Sequence, residues 1–496
     1  MKNRDLLQDR EYFCKTPVLR QVFFCGQRIE KRDECGKGEK KMDIVLKNGK
    51  IITAHSSYFA DLWIRDQKIQ AIGLDLEISG AKIIDVRGQY ILPGAIDVHT
   101  HLEFSAVNGI CSSDDYFAGT RAAACGGVTT VFDFVTQQKG EGIREAAARR
   151  DRLCAPKACV DYAFHVALTD LRADVLEEFA HAAQEGLTSY KLYMVYRECG
   201  LMMSDAEIYQ ALRRSGETGT LIEVHAENQD IIEMNIEQFR AAGTLTPWYH
   251  YLSRPEAVEA DADLRVIHWA KALHVPLYIV HLANAEGVQA VREARREGYE
   301  IYAETCPQYL AFTSEVYKRP DACDFVCSPP MKGKTSQDAL WQGIRDGTIS
   351  TIATDHCPFS QKDKERGRQD FTKIPNGCMG IETMYPYMLS AANTGRISFA
   401  RAVELCAENP ARIFGCPAKG RLEPGMDADL VLFDPAREFT ITQQAMHSAG
   451  DYTIWEGMKL SGRIMAAYSR GRLVYADGEF LGEAGWGAFV RCQPNV

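Results

Sequence analysis

The sequence predicts an α/β protein with a (β/α)8 barrel at its centre and one small β domain formed jointly by its two ends. Three observations carry that reading. Through the middle of the chain, apolar runs of strand length alternate with amphipathic helical stretches, the pattern of βα units. Eight such runs, at 95–101, 128–134, 161–167, 189–194, 221–225, 276–281, 300–304 and 350–355, fall within about 310 of the 496 residues, which suits a barrel with insertions. On both sides of this middle the texture changes to short β-rich runs broken by turns. A doubly wound open sheet is the structural alternative.

Taken in order, the first structured element is expected at 43–53, where Asn48-Gly49 between two β-rich runs reads as a hairpin turn. Strands at 61–72 and 82–92 follow, the second ending at Pro93-Gly94. Helical stretches at 114–125, 144–153, 174–184, 205–215, 263–273 and 285–297 separate the barrel strands. β texture returns at 428–434 and 465–480, with turns at Arg470-Gly471 and Asp477-Gly478. Ahead of all this, residues 1–41 carry ten charges in the fourteen positions from Arg28 to Lys41, so that segment is expected to be a disordered extension. Met42 could serve as the translational start.

Composition removes several classes of function. The formal charge is −10, and it falls to −14 once residues 1–41 are set aside, which argues against attraction to nucleic acid or to an anionic membrane. No uncharged apolar run approaches the 18 residues of a membrane span, and Val22-Phe-Phe-Cys25 is too short for a signal-peptide core. A cytoplasmic protein is therefore expected. Its 16 cysteines include no Cys-x-x-Cys pair, the nearest approach being Cys323-x-x-x-Cys327, and read as reduced thiols.

The chemistry begins at Asp97-Val-His-Thr-His101. Residues i and i+2 of a strand project to the same side, so His99 and His101 can share one metal at the end of the first barrel strand. Alone, such a pair is a weak signal. His225 and His281, however, close the fifth and sixth strand runs and Asp355 closes the eighth, and in a parallel barrel all C-terminal strand ends meet at one face. His165 also closes a strand and reads more readily as a packing residue than as a ligand; His356 reads as holding its loop. The other six histidines, His250 among them, lie in helices or loops and carry no assigned role. Lys191, inside the fourth strand, has a plain reading as a snorkelling strand-end lysine. The other reading starts from a mouth short of bridging anions: desolvation frees its amine to take up carbon dioxide, and the carbamate spans two cations.

Pro93-Gly-Ala-Ile-Asp-Val-His-Thr-His-Leu-Glu103, Gly186-Leu-Thr-Ser-Tyr-Lys191, Val224-His-Ala-Glu-Asn228, Ile279-Val-His-Leu282, Glu304-Thr-Cys-Pro-Gln-Tyr309, Ser328-Pro-Pro330, Thr354-Asp-His-Cys357 and Ile374-Pro-Asn-Gly377 together resemble the dihydropyrimidinases and D-hydantoinases among the cyclic amidohydrolases. The resemblance runs from about Met42 almost to the C-terminus. It implies a barrel over 94–415, a β-sandwich built from 42–93 and 416–482, a tail over 483–496, and assembly as a homotetramer. It further implies two zinc ions, with manganese or cobalt also compatible. One would be held by His99, His101, Asp355 and carboxylated Lys191, the other by His225, His281 and the same Lys191. Tyr196 would hydrogen-bond the substrate carbonyl, Ser328 and Asn376 would grip a cyclic diamide through their backbones, and Asp355 would carry the proton between nucleophile and leaving group.

Relatives that act on a carboxylate-bearing ring continue the histidine pair with an arginine, where this chain has Glu103, so an anionic substituent is disfavoured. An allantoinase-type activity and a non-catalytic scaffold are the competing expectations. Tyr193 and the segment Phe104–Cys111 are expected to shape the pocket for the ring substituent.

Overall fold

Eight parallel strands, Ala95–Thr100, Val128–Thr136, Asp161–Ala167, Ser189–Tyr193, Leu221–His225, Leu277–Ile279, Ile301–Thr305 and Thr351–Ile352, pair in chain order. They belong to a computed structural model that describes residues 43–105 and 109–494; the expectation for residues 1–41 lies outside the described residues. Strands covered on both faces need apolar residues at nearly every position, which is why they read as continuous runs. Polar links join the first strand to the last. Thr354 donates to Asp97 through its backbone N–H (3.0 Å) and its hydroxyl (2.6 Å), and the His101 N–H donates to the His356 carbonyl at 2.9 Å. Burial pushes the Asp97 carboxyl up to about 6, against the pull of these donors.

The helices form for local reasons that the sequence displays. Asp205–Thr218 starts at Ser204, whose hydroxyl and the Glu207 carboxylate cap each other's backbone, and stops at Gly219 with φ 68°. Its buried residues Ile208, Ala211, Leu212 and Ser215 follow the i, i+3, i+4, i+7 spacing of one helix face. Deleting Leu212 to alanine would cost about 2–5 kcal/mol. Among the described residues, no helix is long and apolar enough to cross a membrane.

Both ends of the chain enter one nine-stranded mixed sheet, so the expected sandwich is continuous in its hydrogen bonding. Tyr90–Pro93 from the first half pairs antiparallel with Leu430–Thr440 from the second. Along the latter, Leu430 and Leu432 face a small core with Leu46, Leu62 and Ile91, while Val431 and Phe433 face the main core shared with the barrel. That alternation is the two-residue period of a strand covered by different layers.

The expected hairpin at Asn48-Gly49 is not a turn. Ile44–Ile52 passes straight through it, and its register against Ser57–Arg65 slips between Leu46 and Gly49. Asn48 takes φ 63° because its N–H donates to Asp61 and its side-chain amide donates to Asp85, both at 3.0 Å. Gly49 is required because a Cβ there would lie 2.5 Å from the Ile91 side chain. The true turn is Asp66-Gln67, both at positive φ, inside what reads as one strand at 61–72. The run at 82–92 likewise divides into Lys82–Asp85 and Tyr90–Pro93. Near the C-terminus, residues 487–490 hydrogen-bond to Ala158 and Tyr162, with Phe489 packed on Tyr162 and Phe164. The tail thus covers the floor of the barrel.

Candidate active site

All six residues predicted as ligands meet at the C-terminal mouth of the barrel. His99 Nε2 and His101 Nε2 each lie 3.1 Å from Asp355 Oδ1, and one donor atom from each of the three falls within 4.8 Å of the others. Lys191 Nζ is 3.0 Å from His99 Nε2, and His225 Nδ1 is 3.0 Å from His281 Nε2. Ring nitrogens, a carboxylate and an amine aimed at one small volume are the donor set that borderline divalent cations take. His281 and Asp355 hold positive φ, 39° and 52°, as does Tyr196 at 69°. Strained backbone at three site residues places side chains where an ordinary strand end would not.

The electrostatics favour lone pairs over protons. Burial lowers His101 to about 4 and His281 well below the ordinary imidazole range, and it also lowers His225. His99 behaves differently: burial and Lys191 depress it, but Glu304 and Asp355 outweigh them and raise it to about 9. Burial would raise Asp355, yet the His99 and His101 imidazoles hold it well below the usual carboxylate range. Lys191 is 1 % exposed, and its burial depresses the ammonium form. Its Nζ sits 4.1 Å from the centre of the Phe134 ring.

Buried carboxylates behind the histidines were missed in the sequence. Glu304 Oε1 is 2.7 Å from His99 Nδ1 and accepts the His281 N–H at 3.0 Å. Glu227 Oε2 lies 2.7 Å from His225 Nε2. Such partners fix the ring orientation and tautomer of a ligand histidine. The signal lay in strand-end glutamates within Glu304-Thr-Cys-Pro and His225-Ala-Glu227, but nothing local distinguishes them from surface acids. His165 lies deeper in the barrel, with Nδ1 2.7 Å from Glu223, Nε2 3.1 Å from the Val98 carbonyl, and its ring against Phe132 and Phe414. It is a packing histidine. His356 ties its loop, with Nε2 2.8 Å from Asp114 and Nδ1 accepting from the Gly380 N–H.

A cavity of about 190 Å³ opens over the ligands and is lined by Tyr196, Ser328 and Asn376 together with Phe104, Tyr193, Leu201, Cys357 and Phe359. Burial raises the Tyr196 hydroxyl above its ordinary range, so it is a neutral donor. Its backbone is held by a 2.7 Å bond from its N–H to Gln229 Oε1. Glu103 does not face this cavity: its carboxylate pairs with Lys157 at 2.8 Å. The repulsion of an anionic substituent expected from Glu103 therefore does not come from that position. What stands is that no arginine lines the cavity among the described residues.

The comparisons agree with this geometry. Residues 90–474 match the amidohydrolase family. The chain is 41% identical over 454 residues to a D-hydantoinase of Ralstonia pickettii, covering 91% of this chain and 99% of that protein. It is 41% identical over 462 residues to a D-phenylhydantoinase of Escherichia coli O1:K1, covering 92% and 99%. The solved dihydropyrimidinase of Brevibacillus agri superposes with a TM-score of 0.90 at 39% identity, over 92% of this chain and all of that one. An L-hydantoinase of Arthrobacter aurescens gives 0.84 at 29% identity, over 91% and all. The family implies a binuclear metal centre. With a match over most of its length and its predicted ligands gathered at one barrel mouth, the chain belongs to the amidohydrolase family.

Proposed function

We propose that the protein hydrolyses the cyclic amide bond of 5,6-dihydropyrimidines or 5-monosubstituted hydantoins to N-carbamoyl amino acids. The observation that carries this is the convergence of His99, His101, Lys191, His225, His281 and Asp355 beneath a cavity that also holds Tyr196, Ser328 and Asn376. His99, His101 and Asp355 would hold one cation and His225 and His281 the other, with Lys191 as an N6-carboxylysine shared between them. Zinc suits this set, and manganese or cobalt would also be accommodated. Two divalent cations, if bound there, would supply hydroxide near neutral pH and polarise the scissile carbonyl.

The chain's own residues do the rest. Tyr196 donates its hydroxyl to the carbonyl oxygen, and this bond strengthens as negative charge develops there. Backbone groups of Ser328 and Asn376 fix the diamide edge. Asp355 takes the proton released by the attacking hydroxide and passes it to the departing ring nitrogen, acting first as base and then as acid. Phe104, Tyr193, Leu201 and Phe359 give the exocyclic group an apolar wall, which favours bulky or aromatic substituents. The relatives' names support the same substrate class, and the family resemblance supports a homotetramer.

The test is kcat/KM for dihydrouracil, a phenyl-substituted hydantoin, allantoin and dihydroorotate on one metal-loaded preparation. The first two should be turned over far faster than the others. Preference for allantoin or dihydroorotate would overturn the substrate class, and activity in a metal-free preparation would overturn the chemistry. Light scattering in solution checks the tetramer.

A further inference from the structure

One short helix, Pro247–Ser253, and the arginine that ends it touch three separate parts of the site. Arg254 Nη1 donates to Glu227 Oε2 at 2.6 Å, and the same carboxylate oxygen is 2.7 Å from His225 Nε2. Both charged side chains are buried, at 7 % and 0 % exposure. The Arg254 guanidinium also sits 5.8 Å from the centre of the Tyr196 ring, whose edge packs on the His225 ring at 5.3 Å. One turn back in the helix, His250 Nε2 donates to the carbonyl of Cys327 at 2.8 Å, immediately before Ser328. Lys332 Nζ donates to the Arg254 carbonyl at 2.8 Å and pairs with Glu259 at 3.4 Å. Glu259 in turn accepts the Ala283 N–H at 2.7 Å, two residues beyond His281.

A lone carboxylate behind His225 would be enough to orient that imidazole. Here it is clamped by a guanidinium that also faces the ring of Tyr196, alongside Gln229, which accepts the Tyr196 N–H, and Tyr193, whose ring packs on both Tyr196 and His225. We propose that Arg254 and Glu227, with His250, form a positioning unit that sets ligand His225, donor Tyr196 and the Ser328 backbone at fixed distances from one another. None of the three lines the cavity over the predicted ligands. This rests on the proposed reaction for its kinetic consequences, but its consequences for metal binding stand apart from the substrate.

The test uses full-length metal-loaded Arg254→Met, Arg254→Lys, Glu227→Gln and the double variant Arg254→Met/Glu227→Gln. The double variant leaves no unpaired buried charge, so it remains informative where Arg254→Met alone fails to fold. Three quantities are read: kcat and KM separately, the rate of metal loss to a chelator, and the visible spectrum of the cobalt-substituted protein. Each single variant should lose metal and kcat by about 10–100-fold, with KM changing less and the cobalt bands shifted. Lysine at 254, which keeps the charge but not the fork, should recover part of the loss. The double variant should be no worse than the more damaged single, because both act through one link. Unchanged cobalt bands and chelator rates in the double variant, or strictly additive losses, would overturn the proposal. A native enzyme that hydrolysed none of the cyclic diamides would overturn the functional reading, while the chelator and cobalt measurements would still decide the positioning.

Discussion

Among the deeply buried lysines, Lys191 and Lys419 have surroundings that send them in opposite directions. Lys419 Nζ lies 2.5 Å from Asp161, 2.6 Å from Asp429 and 2.9 Å from Asp427, near the start of the third barrel strand. Lys191 lies at the other end of the barrel, among imidazoles and against the face of Phe134. Burial works against the ammonium in both places. At Lys419 the three carboxylates outweigh it and raise the group; at Lys191 it prevails and the group falls. Either cluster brings together three metal-capable side chains, His99, His101 and Asp355 or Asp161, Asp427 and Asp429. In the second, Lys419, Arg470 and Lys68 already answer the charge. Proximity of donors therefore does not make a metal site. What matters is whether the chain has supplied its own cation, and at the mouth burial weakens the one it has supplied.

The most drastic way to break this contrast is Lys191→Ala. Metal content and turnover should fall together to near background, and short-chain carboxylates should partly restore turnover by standing in for the carbamate. Full metal content with normal turnover would make Lys191 a bystander. Elemental analysis alongside the hydrolysis assay decides it.

Lys419→Met tests the other pole. Two buried carboxylates and one partly buried one would lose their shared cation at a cost of about 3–5 kcal/mol, read from urea unfolding. Activity per folded molecule should be unchanged. Because its folded pKa is raised, Lys419 contributes fully below its unfolded value of 10.5 and loses that contribution only as pH climbs through the higher folded value. The difference between variant and parent should accordingly stay constant between about pH 6 and 9. A difference that faded within that window would contradict the pairing.

Tyr196→Phe separates reaction from stability at the mouth itself. Losing an oxyanion donor should reduce kcat by about 10²–10³, with little change in KM and none in metal content. A variant retaining most of its kcat would remove Tyr196 from the mechanism.

The smallest effect is expected at a partly exposed pair away from both lysines. His447 Nδ1 is 2.7 Å from Glu382, whose hydrogen bond raises the imidazole above its usual 6.5. The pair stabilises fully below pH 6.5 and loses its contribution as pH rises through the folded value. His447→Gln should therefore lower Tm slightly in mild acid, by at most about 1 kcal/mol in stability, and less as pH rises. A Tm difference growing with pH would reverse the sign of the argument.

The sequence by itself determined the barrel and the gathering of the predicted ligands at one rim. A strand's two-residue period places His99 and His101 on one side, and parallel strands carry His225, His281 and Asp355 to the same rim, so spacing and order along the chain are sufficient information. Tertiary structure alone decided which polar groups stand behind the ligands. His99 finds Glu304 after 205 residues and His250 finds Cys327 after 77, distances at which no local pattern survives. It also decided that Asn48-Gly49 bends a strand where a hairpin is expected, because the bonds that stabilise Asn48 come from Asp61 and Asp85 on other strands. Local periodicity reports which face a residue presents; the free energy of burying a charge or holding a positive φ depends on partners that only the fold brings within reach. Lys191 and Lys419 show this most directly, since the residue type is the same in both and the neighbours alone set the direction of each shift.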